Sequence, residues 1–488
     1  MTKNQRRVGM VLCLFTIVLA ILDQNIVSSA IVPIVRDLDP VHGVEHVAWL
    51  VAAFALAATV VLPLYGRLTD AFGAKPVWLT AVGIFLVGSV LCGAAQSMGQ
   101  LIAFRAIQGA GAGGLMSVTM VVIANLAEPG ANRGRGGGMG GLFAGVGMAI
   151  GPFIGGLFAD HDNWRGIFYV NVPLGLVVIF GGLFAIRIPR VTRRTDLDLP
   201  GAALAAAFAA SLLLVCEWGG QRYAWTSGPI LAMITAGVAS LALFAWRESV
   251  AAHPVLPPSL LRDRTIRNSY IVQLLIGAAM IGAMLHLMLY LQVARGVSAS
   301  DSGLYLAFMA AGLTASGMLG ERLRLATRPA LLVGTACAAA AIGGVVLFVH
   351  LGTSLWAIRG ALVLLGIGFG QLIGRLIMVV QDAAPAHQLG VATTGIRFFQ
   401  SMGTAVGAAL LGSILSRVYE ARSGGAMSSA AIAAHPEAMN DFVVGIEVVF
   451  AVAGAVVLLA MLFAARLRDA ARPAPSSESE PKAEPVAA

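Results

Sequence analysis

Two charged residues stand where charge is costly. Asp23 falls about fifteen residues into the first long apolar run, 8–35, and Arg105 falls inside the fourth, 100–124. A carboxylate at mid-membrane costs several kcal/mol unless it is paired, neutralised or hydrated. How firmly it holds a proton depends on burial and on nearby cations, which suits a carrier that binds and releases protons. Arg105 keeps its charge at any relevant pH, so it must find an anion or water. Gln108, Gly109 and Ala112 share its helical face at i+3, i+4 and i+7, and the two small residues leave room for a neighbouring helix. The expectation is that Asp23 and Arg105 face each other and that protonation of Asp23 breaks the pair. The plainer reading of both is a fixed ion pair that only packs helices.

Other polar and aromatic groups in apolar runs are candidates for lining a substrate cavity. They are Gln24 and Asn25 beside Asp23, then Gln273, His286 and Tyr290, then Tyr305 and Met309, then Arg397 and Phe398. Aromatic and Met side chains adapt to varied apolar ligands, although they more often fill cores. A lone membrane His is usually a satisfied hydrogen-bonding residue. Arg397 is expected to face the cavity, because facing lipid is costly. Glu217 and Glu447 lie near the ends of their runs and read first as interfacial acids. Cys13, Cys92, Cys216 and Cys337 lie in apolar runs and read as core filling. No CxxC or HExxH spacing occurs, so no metal site is expected. No GxxxxGK[ST] loop occurs either, so the expected energy source is the proton gradient, with no cofactor.

The elements that must hold these residues follow from composition. The chain has 488 residues, 58% hydrophobic and only 11% charged, against about 25% charged in soluble domains. A soluble protein could not hide that surface. A helix needs about 20 apolar residues to cross a bilayer. Polar, Pro and Arg breaks leave fourteen runs: 8–35, 46–65, 76–96, 100–124, 137–159, 167–187, 198–217, 228–246, 268–294, 302–321, 330–349, 356–379, 390–416 and 443–465. The first run is too long for a signal peptide and lacks a small-residue cleavage site, so it is expected to stay as a span. With the N-terminus inside, 23 of the 32 Lys and Arg fall on inside segments, 7 on outside segments, and Arg105 and Arg397 within spans. That asymmetry favours an even number of spans and both termini in the cytoplasm. The fold class expected is an all-α integral protein of the cytoplasmic or inner cell membrane, crossing it many times.

The stretches "YGRLTDAFGAKPVWL" and "LGERLRLATRPALLVG" echo each other: Gly, basic residues, a turn, Pro, then an apolar helix. Repeated halves with a midplane site are the usual build of secondary transporters. The organisation expected is a six-helix half over 1–195, two additional helices and a linker over 196–267, and a second six-helix half over 268–468. A disordered tail is expected over 469–488, where Pro, Ser, Glu and Ala dominate.

Four stretches carry a more specific likeness: "LDQNIVSSAIVPI" (22–34), "GRLTDAFGAK" (66–75), "LIAFRAIQGAGAGG" (101–114) and "NWRGIFYVNVPLG" (163–175). They resemble the major facilitator superfamily, and within it the fourteen-helix drug:proton antiporters. In the second half "LYLQ" (289–292) and "GVATTGIRFFQSMGTAVG" (390–407) match more loosely. The resemblance assigns Arg105 to proton coupling with Gln108 in support. It implies that the 66–75 loop latches an outward-open state through Asp70. Gly66 and Gly73 permit the turn, and Asp70 can cap the start of the third span or pair with an inside Arg. Ala71 and Ala74 stand where the family has basic residues, which leaves a weaker latch or a partner drawn from Arg133 or Arg135. The family has an Arg-Gln pair where this chain has Gln400 and Ser401, and Arg397 stands one turn earlier.

"GGLFAGVGMAIGPFIGG" (140–156) fits the family's antiporter motif at Gly140, Gly147, Gly151, Pro152, Gly155 and Gly156. Its small-residue stripe lets helices pack closely in lipid, and its Pro and glycines ease a bend. A matching stripe, Gly303, Ala307, Ala311 and Ala315, is the expected partner.

Together these features point to a proton-coupled antiporter that exports lipophilic or amphipathic molecules by alternating access. The expected partners are the small-molecule substrate, protons and the lipid bilayer, with no nucleic acid, in a monomer; a periplasmic adaptor stays open. The rivals are a dedicated exporter of one endogenous antibiotic, lipid or amino acid, and a nutrient symporter. A membrane enzyme lacks any nucleophile–base or metal constellation to support it.

Overall fold

The computed structural model describes residues 3–38, 43–126, 157–158, 163–186, 188, 198–220, 222–252, 254–297, 299–323, 326–348, 354–424 and 436–467. The first part runs as α1 (Lys3–Ser29), α2 (Ile31–Leu38), α3 (Gly43–Val60), α4 (Leu62–Phe72), α5 (Ala74–Gly93), α6 (Met98–Leu126), α7 (Gly166–Tyr169) and α8 (Asn171–Ala185). Then come α9 (Leu199–Trp218), α10 (Gly228–Val250) and the short α11 (Pro258–Arg262). The rest is α12 (Arg264–Val293), α13 (Ala299–Leu323), α14 (Thr327–Phe348), α15 (Leu355–Ala383), α16 (Leu389–Ser423) and α17 (Pro436–Ala465). Helices are forced on such a chain, because a backbone in lipid must satisfy its own N–H and C=O groups.

Twelve helices among the described residues are long and apolar enough to cross a membrane, α3 and α4 together forming one of them. The described part of α13 contributes a shorter apolar stretch, Leu304–Gly317. The all-helical, multi-pass architecture is as expected; the count the described residues give is twelve rather than fourteen. The Gly-rich stretch with Gly140, Gly147, Gly151, Pro152, Gly155 and Gly156 lies outside the described residues, as do Arg133 and Arg135. Its expected pairing with α13 therefore lies outside them too. On α13 itself, Ala311 and Ala315 are exposed, while Met309 and Gly312 press on α15 at Gly366 and Val363.

Local signals set the helix ends. Asp198 caps α9 by accepting from Gly201 N at 3.1 Å, and Asp263 caps α12 by accepting from Thr265 N and Ile266 N at 2.8 and 2.9 Å. Gly73 turns the chain between α4 and α5 at φ 87°, a conformation that favours glycine. α9 and α10 pack on each other, tied by Arg247 to Asp198 at 3.1 Å. α10 turns Leu231, Val238, Leu243 and Trp246 outward, so this pair lies at the rim.

Two ends of the bundle are defined by contacts. At one, Lys75 Nζ donates to Leu183 O and Ile186 O at 2.9 and 2.6 Å, and Gly9 meets Leu126 and Ile186. At the other, Arg165 pairs with Asp37 at 2.6 Å and donates to Ala95 O at 3.0 Å. Hydrogen bonds from Arg165 and Trp164 hold the Asp37 carboxyl below its ordinary value. The two halves meet chiefly where α4 and α6 pack on α16.

α6 is the hub of the first half, lying against α1, α3 and α5. A Cβ at Gly109 would run into the Phe54 backbone, and one at Gly111 into the Phe85 backbone. Gly83 of α5, by contrast, has nothing within 4 Å of where a Cβ would sit. The same substitution should thus have opposite signs at the two positions. Gly111→Ala should destabilise by about 1–3 kcal/mol through overpacking, and Gly83→Ala should be neutral or stabilise by up to about 1 kcal/mol. Thermal unfolding of the purified variants in detergent checks this, and equal midpoints would contradict the close packing.

Candidate functional site

α1, α5, α6 and α8 bring five polar side chains to one buried point. Asp23, Ser89, Gln108 and Asn171 have no exposed surface, and Arg105 only 2%. Arg105 Nη1 donates to Asp23 Oδ2 and to Gln108 Oε1, both at 2.8 Å. Gln108 Nε2 donates to Asp23 Oδ1 at 2.7 Å and Asn171 Nδ2 to the same oxygen at 2.8 Å. Ser89 Oγ accepts from Gln108 Nε2 at 3.1 Å and from Asn171 Nδ2 at 3.0 Å, and donates to Phe168 O at 2.8 Å. The Arg105 guanidinium also lies over the Phe54 ring, 4.1 Å from its centroid, with Nε donating to Leu50 O at 3.4 Å.

The chemistry of this arrangement is one-sided. All three bonds that Asp23 accepts come from groups that only donate at those atoms: a guanidinium and two amide NH₂ groups. Charge-assisted bonds of this kind are the strong ones, and they fit an ionised carboxylate. Three of the carboxylate's lone-pair sites are filled, two on Oδ1 and one on Oδ2. Asn171 Oδ1 is buried without a partner, an unused acceptor on a side chain that donates to that carboxyl.

The expected triad of Asp23, Arg105 and Gln108 thus meets in space. Sequence reasoning missed Ser89 and Asn171. Their signal was faint: single polar residues in apolar helices, with Asn171 inside the quoted stretch 163–175. Gln24 and Asn25 have backbone on α1, but their side chains lie outside the described residues.

Of the loop residues, Gly73 makes the turn, Gly66 lies within α4 rather than in the turn, and Asp70 reaches the other half. Asp70 does not cap the start of α5; the nearby Arg67 acts on it electrostatically, and Arg133 and Arg135 lie outside the described residues. Asp70 accepts from Gly390 N at 2.6 Å and Val391 N at 3.0 Å, capping α16 in the other half. The free N–H groups at a helix start attract a carboxylate more specifically than a mobile basic side chain does, and α16 is the helix that α4 meets. Gly66 makes the approach possible, since a Cβ there would be 2.9 Å from Val391 Cα. Gln381 Nε2 adds a second bridge, to Met120 O at 3.3 Å.

In the second half the candidates lie deep. His286 bonds Gly282 O through Nδ1 at 2.8 Å, the satisfied state usual for such a residue. Tyr290, Tyr305 and Met309 belong to one packed core. Gln273 is buried with neither side-chain polar atom partnered. Arg397 Nη1 donates to Gln400 Oε1 at 2.9 Å, and Phe398 sits edge-on to Phe399 at 6.0 Å. Glu217 is exposed at the end of α9.

Comparison with known proteins identifies the family. The family model described as "Major Facilitator Superfamily" matches residues 13–408. The multidrug transporter protein MdtP of Bacillus subtilis is 31% identical over 420 residues, covering 85% of this chain and 75% of that protein. Multidrug resistance protein 3 of the same organism is 28% identical, covering 83% and 79%. The efflux pump aunC of Aspergillus niger is 31% identical, covering 82% and 76%. Among solved structures, the human organic anion transporter MFSD10 superposes with a TM-score of 0.67 at 16% identity, over 95% of this chain and all of that one; this is a likeness of fold.

Two substitutions probe these contacts. Asn171→Leu strips Asp23 of one of its donors and should destabilise the protein by about 1–3 kcal/mol, read as a lower unfolding midpoint. Asp70→Asn keeps the shape but loses the charge and one acceptor at the start of α16. It should raise labelling of a Thr394→Cys reporter by a hydrophilic maleimide, and unchanged labelling would show that the cap does not hold that end closed.

Proposed function

This chain belongs to the Major Facilitator Superfamily, and on that premise we propose that it exports amphipathic small molecules in exchange for protons. The relatives named multidrug transporter or efflux pump support export. The observation that carries the coupling is the buried carboxylate of Asp23, ringed by donors from Arg105, Gln108 and Asn171. In the cycle, a proton arriving at Asp23 removes its charge and frees Arg105 to change partner. Export then resets when the proton leaves and the donors close again. The halves are held at the end that bears Lys75, through Asp70 on the start of α16. With the basic end in the cytoplasm, as the charge asymmetry favours, this contact closes the cytoplasmic side. Opening inward requires Asp70 to release Gly390 and Val391. A gradient rather than a nucleotide drives the cycle, and the cargo crosses between the halves of a protein resident in the cytoplasmic membrane.

The test is proton movement driven by substrate. Purified protein in liposomes, given a panel of anionic and cationic amphipathic dyes, should release protons in proportion to the dye carried. Asp23→Asn should abolish that release while leaving dye binding in place. Full exchange retained by Asp23→Asn would sink the coupling role.

A further inference from the structure

Arg105 lies inside a span of the first half and Arg397 inside a span of the second, and the two are not equivalent. Arg105 is neutralised by Asp23 at 2.8 Å. Arg397 lies eight residues past the start of α16, about 12 Å along the helix, and no acidic side chain lies within salt-bridge distance among the described residues. Its Nη1 holds Gln400, and its Nε is buried with no partner. The buried acids of the described residues are committed elsewhere. Asp23 faces Arg105, Asp198 faces Arg247, and Glu248 caps Val255 N and Leu256 N.

A second set of unused polar atoms lies on α12, which packs on α16. Tyr270, Gln273 and Gly277 share one face of α12 at i, i+3 and i+7, and that face lies on α16. Tyr270 Oη donates to Ala392 O at 3.0 Å, and its ring stacks on Phe399 at 4.9 Å. A Cβ at Gly277 would lie 2.5 Å from Gln400 O. Gln273 falls between these two residues along α12. It has no exposed surface, and both its Nε2 and its Oε1 are unpartnered. A guanidinium inside a span normally pairs or faces a cavity, and a buried amide normally finds a partner. Here both are left open beside Phe398, Phe399 and Tyr270.

We propose that the counter-ion Arg397 lacks is the cargo itself. The cargo class is an aromatic molecule bearing a carboxylate-type anionic group. Its oxygens take the Arg397 guanidinium fork, which suits planar oxyanions, and the Gln273 amide completes the set. The ring packs on Phe398 and Phe399. This rests on the export reading and sharpens it, since a lipophilic cation would meet uncompensated positive charge at this wall.

The test uses three matched probes: dansylglycine (anion), its methyl ester (neutral) and dansylcadaverine (cation). Binding is measured by fluorescence in detergent, and gradient-driven uptake in liposomes, with the same protein. Dansylglycine should bind at least about tenfold tighter than dansylcadaverine, the factor expected for one charge-assisted hydrogen bond. Arg397→Gln should erase that preference, and Arg397→Lys, which keeps the charge, should retain part of it. Gln273→Leu should weaken dansylglycine binding while leaving the unfolding midpoint unchanged or higher, since it removes two unpaired buried atoms; a purely structural glutamine would show the reverse. Equal or tighter binding of dansylcadaverine in the wild type, unaffected by Arg397→Gln, overturns the cargo class and leaves export untouched. Arg397-dependent binding of dansylglycine without uptake of any probe supports the site and overturns the export reading instead.

Discussion

A charge taken into hydrocarbon must be met by another group, and the first half of this molecule is built around meeting one. Arg105 cannot lose its proton, so Asp23, Gln108 and the Phe54 ring close around it. Everything nearby serves that closure. Gly88 lets α5 lie against the backbone of Gln108, and Gly109 lets α3 lie against α6. Without those two hydrogens in place of side chains, the helices would stand apart and water or lipid would enter the pair. Ser89 and Asn171 then fix the orientation of the amides that face Asp23. The desolvation cost of two buried ions is several kcal/mol each, recovered only with good geometry and full hydrogen bonding.

The same span that walls this cluster also reaches the contact between halves. α3 touches Arg105 through Leu50 and Phe54, and α4, which continues it, carries Asp70 onto the start of α16. α6 runs from Arg105 to Met120, whose carbonyl accepts from Gln381 of the other half. α3, which walls the ion pair and leads into α4, and α6, which carries Arg105, therefore both connect it to the contact between halves. α16 receives Asp70 at its start and carries Arg397 two turns later. The three polar centres of the molecule, around Asp23, Asp70 and Arg397, are thus joined by rigid helices rather than loops.

Much of this was legible in residue order alone. Long apolar runs broken by polar turns dictate helices that cross a membrane, and a lone Asp and a lone Arg inside such runs must pair or face a cavity. The pairing of Asp23 with Arg105 followed from that rule, with Gln108 one turn away on the same face. Gly73 was readable as a turn because only its positive φ lets α4 and α5 join so abruptly. Ser89 and Asn171 were not readable. A single hydroxyl or amide in an apolar helix is common, and its value depends on what the neighbouring helix presents. Which helix start Asp70 caps was not readable for a related reason. Nothing local tells a carboxylate whether to cap the helix that follows it or one that starts more than three hundred residues later.

Sequence by itself determined that this chain is helical, that it lives in a bilayer, and that a few buried charges must find partners there. It determined these because hydrocarbon penalises every unsatisfied polar group regardless of fold. The tertiary structure decided which partners were found. It set Asn171 on Asp23, turned Asp70 across the interface to Gly390 and Val391, and left Arg397 and Gln273 with unused hydrogen-bonding atoms. Those choices depend on distances of about 3 Å between residues far apart in the chain, and only the packing of the helices fixes such distances.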